Sequence, residues 1–189
     1  EGKGAVNTLA HLGDDAEYGH LLADIYKDGE WVVRDDVFID YLGRSGPLTV
    51  GFGSKGGAHG GKIGPELAIG TVLGDAFDEK ILLIKTAWGG KSLGRDFRSP
   101  SAGLPTDEEF AKMVEDKNAQ ITKNNEKNPD RKKPLVTVAG MKEPYGHYYR
   151  EMMKEVRGTL GNLKERFPSY QGQGYELCGF VWFQGWNDQ

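Results

Sequence analysis

The stretch from Tyr175 to Asp188, Y-E-L-C-G-F-V-W-F-Q-G-W-N-D, constrains the chain more than any other. Leu177, Cys178, Phe180, Val181, Trp182 and Phe183 form an apolar and aromatic run interrupted only by Gly179. A run this continuous, short and bounded by glycines is predicted to be a strand covered on both faces, as in the middle of a parallel sheet. A buried helix is the competing assignment, and length and aromatic content favour the strand. At the end of the run the character switches to Gln184, Gly185, Trp186, Asn187 and Asp188.

Open parallel sheets place ligands at the carboxyl ends of their strands. Two side-chain amides at such an edge, Gln184 and Asn187, are placed to donate N–H groups to a charged oxygen. The plainer alternative makes both of them turn residues, since Gly-x-Asn-Asp is good turn chemistry.

Upstream, Lys80 to Ala87, K-I-L-L-I-K-T-A, is the second clear buried strand, and it runs into W-G-G-K-S-L-G-R-D-F-R. Pro47 to Phe52 is predicted to be a further short strand. Leu67, Ile69, Val72, Leu73 and Phe77 then carry a helix, with Pro65 at its first position and Gly64 at its N-cap. The free backbone N–H groups at that helix start are natural anion donors. Leu21, Leu22, Ile25 and Tyr26 suggest a helix near 17–27, ended by Asp28-Gly29. Trp31 to Tyr41 divides into two strand-like halves around Asp35 and Asp36. Those adjacent carboxylates would face opposite ways in a strand, so a solvated turn is expected of them rather than a catalytic pair.

Thr106 to Lys133 is strongly charged. Thr106 and Glu109 form a capping box, and Phe110, Met113 and Val114 give only a thin apolar stripe. A surface insertion or lid around 106–134 is expected, followed by a short strand at Pro134 to Ala139. Pro144 to Phe167 is the longest helix, with Tyr148, Tyr149, Met152, Met153, Val156, Leu160 and Leu163 at helical spacing and Pro168 as its stop. Met152 and Met153 are expected in the core. Strands alternating with helices indicate an α/β fold on a parallel sheet.

Three segments together resemble the sialate O-acetylesterase-like branch of the SGNH hydrolases: W-F-Q-G-W-N-D at 182–188, Gly64-Pro65-Glu66 at a helix start, and K-T-A-W-G-G-K-S at 85–92. The likeness spans roughly residues 60 to 188. It implies a three-layer, flavodoxin-like α/β domain with a central parallel sheet, here incomplete, and a serine esterase that removes acetyl groups from carbohydrate. Residues 1–189 would be a single partial domain.

By the resemblance, the Gly64 N–H and the Gln184 amide hold the oxyanion, with Asn187 as the alternative donor. Trp88, Gly89, Gly90, Lys91, Ser92, Arg95 and Glu66 line the substrate site, where Trp88 offers a face to a sugar ring and Lys91, Arg95 and Arg98 meet acidic groups. No metal or organic cofactor is implied. The resemblance also favours a secreted or extracytoplasmic setting.

The branch takes its nucleophile from a Gly-Gln-Ser-Asn-Met block and its base and acid from an Asp-x-x-His. Neither occurs here, and Glu1-Gly2-Lys3-Gly4 resembles the stretch that follows the first block. The chain is therefore expected to be an inactive fragment, with His11, His20, His59 and His147 outside the catalytic role. The branch more often reads Gln-Gly-Glu-Ser-Asp where this chain has Gln184-Gly185-Trp186-Asn187-Asp188.

Two alternatives stand beside the esterase: a carbohydrate-binding scaffold without chemistry, and a nucleotide-binding α/β protein. The last has Gly56, Gly61 and Lys62 in P-loop spacing, but Ile63 stands where magnesium binding requires Ser or Thr. The second partial match, Gly90-Lys91-Ser92, has Lys85 in place of the first glycine. Net charge of −4 from 24 basic and 28 acidic residues, without a basic cluster, argues against nucleic acid. No apolar stretch reaches membrane-spanning length. The lone Cys178 permits neither an internal disulfide nor a cysteine metal site.

Overall fold

The five residues Val37–Tyr41 (β3) form the middle of a small mixed sheet, and their alternation explains why helices gather on both faces. The computed structural model describes residues 9–53 and 62–188. The described residues fall into two compact units, 9–53, 62–88 and 155–175 in one, and 89–154 and 176–188 in the other.

In the first unit, β3 pairs antiparallel with Arg44–Pro47 (β4) and parallel with Ile81–Lys85 (β5), so the order is β4-β3-β5. Leu42 and Gly43 join β3 to β4 with φ of 50° and 85°, the left-handed pair that a two-residue hairpin requires. Val37 and Ile39 point to one face and are fully buried with Leu48 and Leu67. Leu67 belongs to α2, Pro65–Ala76, which begins at the expected Gly64 N-cap with Pro65 in its first turn.

The helix approaches the sheet closely because Gly70 and Gly74 face it. A Cβ at Gly70 would collide with Leu48 and come within 3.0 Å of Leu83, and one at Gly74 would lie 2.6 Å from Val37.

The other face of β3 carries Phe38 and Asp40. Phe38 stacks edge-on against Phe167, with ring centroids 5.8 Å apart. Asp40 is buried and accepts a hydrogen bond from Thr159 Oγ1 at 2.6 Å and another from the Arg166 guanidinium. Thr159 lies in α5, His147–Gly161, and Arg166 in α6, Leu163–Arg166, so the single long helix expected over 144–167 is broken at Asn162.

Several expectations need correcting. Asp28-Gly29 does not end a helix. With φ of 54° and 85° it turns a hairpin between Tyr26–Lys27 (β1) and Glu30–Trp31 (β2), clasped by Tyr26 against Trp31 at 4.7 Å. The helical signal before it yields only a 3₁₀ turn at Gly19–Leu22 and a short α1 at Leu9–Leu12. The strand expected at 47–52 lies earlier, at 44–47. Asp35 and Asp36 do form a bend, as expected of a turn, in which Asp36 pairs with Arg34.

The largest correction concerns 176–183, which is not a strand. Leu177, Phe180 and Phe183 are 73, 72 and 83 % exposed. Apolar character alone does not make a strand without a neighbouring ladder, and among the described residues the sheet ends at β5.

In the second unit the charged segment is a 21-residue helix, Asp107–Lys127 (α3), started by the expected Thr106–Glu109 capping box and continuing far beyond Val114. Phe110 and Ile121 are its buried residues. The segment after it, expected to be a strand, is held instead by two asparagines of α3. Asn118 donates to Val136 O at 3.0 Å and accepts from Val136 N at 2.8 Å, and Asn125 makes the same pair of bonds to Lys133, both at 2.8 Å. Val138–Lys142 (α4) follows, capped by Thr137.

Candidate functional site

The loop Gly89–Arg95 gathers most of the sequence-predicted site residues of the second unit. It is shaped locally. Gly90 has φ of 71°, a backbone position that glycine accepts without strain. Asp96 is buried beneath the loop, where its carboxylate accepts from Ser92 N and Ser92 Oγ, both at 3.1 Å, and from Arg95 at 3.2 Å. Burial pushes the Asp96 carboxyl up, but the Ser92 N–H and the Arg95 charge outweigh it and hold the group below its ordinary value. Phe97 continues into an aromatic floor with Trp182 edge-on at 5.1 Å and Tyr148 at 5.9 Å.

Against this loop lies the Gln184–Asp188 segment, whose last residues form a 3₁₀ turn at Trp186–Asp188. The Gln184 amide donates to Lys91 O at 3.1 Å and to Asp188 Oδ2. The Asp188 carboxylate also accepts from Leu93 N, 2.9 Å from each of its oxygens, and from Gly94 N at 3.1 Å. The Gln184 amide, then the Leu93 and Gly94 N–H groups, draw the Asp188 carboxyl below its usual range.

Asn187 lies beside Gly90, with its amide nitrogen 3.7 Å from the position a Cβ there would take. The Lys91 ammonium sits 4.4 Å above the Tyr148 ring. Gly89 and Gly90 are exposed. Arg98, expected near acidic ligands, donates to the carbonyls of Gly103, Gly94 and Ala102.

Gly64, Glu66 and Trp88 belong to the first unit. Gly64 caps α2, Trp88 is half-buried just past β5, and Glu66 is buried in an ion pair with Lys85 at 2.8 Å. Lys85 also donates to Phe52 O at 2.7 Å, tying the end of β5 to the chain leaving the sheet. Lys62 and Ile63 are described, whereas the Gly56 and Gly61 of the P-loop spacing and His59 lie outside the described residues.

No family model matches this chain, and no curated protein or solved structure matches it either.

Sequence reasoning picked out the amides and missed Asp188 and Asp96 as organisers. The spacing of Gln184 and Asp188 carried that signal, because a glutamine four residues before an aspartate across a turn can reach it. Among the described residues no helix is long and apolar enough to cross a membrane.

Proposed function

We propose that this chain is part of a carbohydrate O-acetylesterase of the SGNH kind, built on a three-layer flavodoxin-like domain with a central parallel sheet. One observation carries the reading: the Gln184 amide and neighbouring backbone N–H groups converge on a single carboxylate. Donors preorganised around one anionic group are what acyl transfer needs to stabilise its tetrahedral intermediate. In this reading Gln184 supplies the side-chain N–H and Gly64 a backbone N–H from the start of α2, with Asn187 as the alternative to Gln184.

Trp88, Gly89, Gly90, Lys91, Ser92, Arg95 and Glu66 border the acetylated sugar. Lys91 and Arg95 lend it positive charge, and the Glu66 carboxylate is held in its ion pair with Lys85. The serine and the Asp-His pair are not among these 189 residues, so they would come from outside them. A secreted or extracytoplasmic protein is the setting this chemistry suggests.

The absence of a Gly-Gln-Ser-Asn-Met block and an Asp-x-x-His from these residues favours a second reading, a carbohydrate-binding domain without turnover, in which the exposed Trp186 stacks on sugar. Release of acetate from acetylated xylan and from p-nitrophenyl acetate, by the protein that carries these residues, separates the two. Acetate release that falls with Gln184→Ala supports the esterase; glycan binding without release supports the binding domain.

A further inference from the structure

Asp188 is exposed, yet its carboxylate is surrounded by directed donors. The consecutive Leu93 and Gly94 N–H groups lie at 2.9 and 3.1 Å, and the Gln184 amide completes the set. Among the described residues no Lys, Arg or His forms an ion pair with it. Its charge is met by amide dipoles alone, the arrangement by which successive backbone N–H groups bind anions. The loop that presents them is not free to drift, since the buried Asp96 fastens Ser92 and the Phe97 N–H donates to Ser92 O at 3.0 Å. The Leu93 and Gly94 donors are thus fixed independently of the residue they hold, and Gln184 keeps a second bond, to Lys91 O at 3.1 Å.

We propose that Leu93 N–H, Gly94 N–H and the Gln184 amide form a carboxylate-binding site of which Asp188 is the chain's own occupant, and whose external ligand is a small carboxylate such as acetate. The choice of acetate rests on the proposed deacetylation, of which it is the product; the donor set itself does not. A tethered occupant four residues from Gln184 competes at an effective concentration in roughly the millimolar range, so wild-type protein binds acetate weakly. Removing the Asp188 carboxylate opens the site.

The test is amide-resolved NMR of wild type, Asp188→Ala and Asp188→Asn during titration with sodium acetate, with sodium chloride at matched ionic strength as the control. In Asp188→Ala the Leu93 and Gly94 backbone signals and the Gln184 side-chain signals shift saturably with acetate. The wild type requires at least about tenfold more, and chloride leaves the signals in place. Should Asp188→Ala lose its dispersed spectrum, Asp188→Asn carries the same measurement with the side-chain volume kept.

A folded variant whose three signals ignore acetate overturns the proposal, as does a wild type that responds as readily as the variant. Equal shifts with chloride also overturn it. No turnover is involved, so the two proposals fail separately. In a protein that carries these residues together with the serine and the Asp-His pair, acetate binding without ester hydrolysis removes the esterase and keeps this site, and hydrolysis without an acetate response does the reverse.

Discussion

The Lys85 ammonium lies 2.8 Å from the Glu66 carboxylate, so the last residue of β5 is locked to the first turn of α2. Glu66 is 6 % and Lys85 15 % exposed at the side chain, and Lys85 also donates to the carbonyls of Phe52 and Gly53. Removing one partner of such a pair strands the other in a poorly solvated place. Lys85→Met is expected to lose about 3 kcal/mol of stability, and Lys85→Met with Glu66→Gln together markedly less than the sum of the two single changes. Urea denaturation of the four proteins in the cycle measures this, and additive losses would show that the pair does not couple.

Gly70 faces the sheet with no room for a methyl group between Leu48, Leu83 and Val37. An alanine is ordinarily the better helix former by about 1 kcal/mol, but overpacking a filled core costs roughly 1–3 kcal/mol. Gly70→Ala is therefore expected to lower the thermal midpoint. A raised midpoint would mean that α2 can move away from the sheet at little cost.

Asp96 has a folded-state pKa below its ordinary 3.8. A lowered carboxyl contributes stability that is complete above the unfolded value and is lost as pH falls through the lower folded one. Wild type should thus exceed Asp96→Asn in stability at neutral pH, with the gap closing below about pH 4. A gap independent of pH between 7 and 2 would assign the effect to packing rather than charge.

If Gln184 holds the oxyanion, Gln184→Ala, made in a protein that carries these residues together with the serine and the Asp-His pair, should lower acetate release from p-nitrophenyl acetate by a factor on the order of 100. Asn187→Ala should then cost far less. The reverse order would move the role to Asn187, and no change in either would withdraw the oxyanion assignment.

How much was legible in the sequence differs from element to element. The start of α2 and the capping box of α3 were readable because Gly64-Pro65 and Thr106–Glu109 act on their own neighbours. β5 was readable from an unbroken apolar run.

The Tyr26–Trp31 hairpin was hidden because Asp-Gly serves equally as a helix end, and only the cross-strand aromatic pair decides between them. The strand predicted at 176–183 failed because pairing is a property of two segments. Its exposed Leu177 and Phe183 show that hydrophobic content does not supply a partner.

At the site the amides were visible in the motif. That Gln184 also meets Lys91 depends on a loop 93 residues away in sequence.

The paired bonds from Asn118 and Asn125 turn one flank of a helix into an imitation sheet edge. What those amides read at 133 and 136 is main chain, so these bonds do not depend on which side chains stand there. Drift at those two positions is tolerated so long as a peptide N–H survives. Proline at 133 or 136 would remove the N–H that donates to Asn125 or Asn118 and undo a rung.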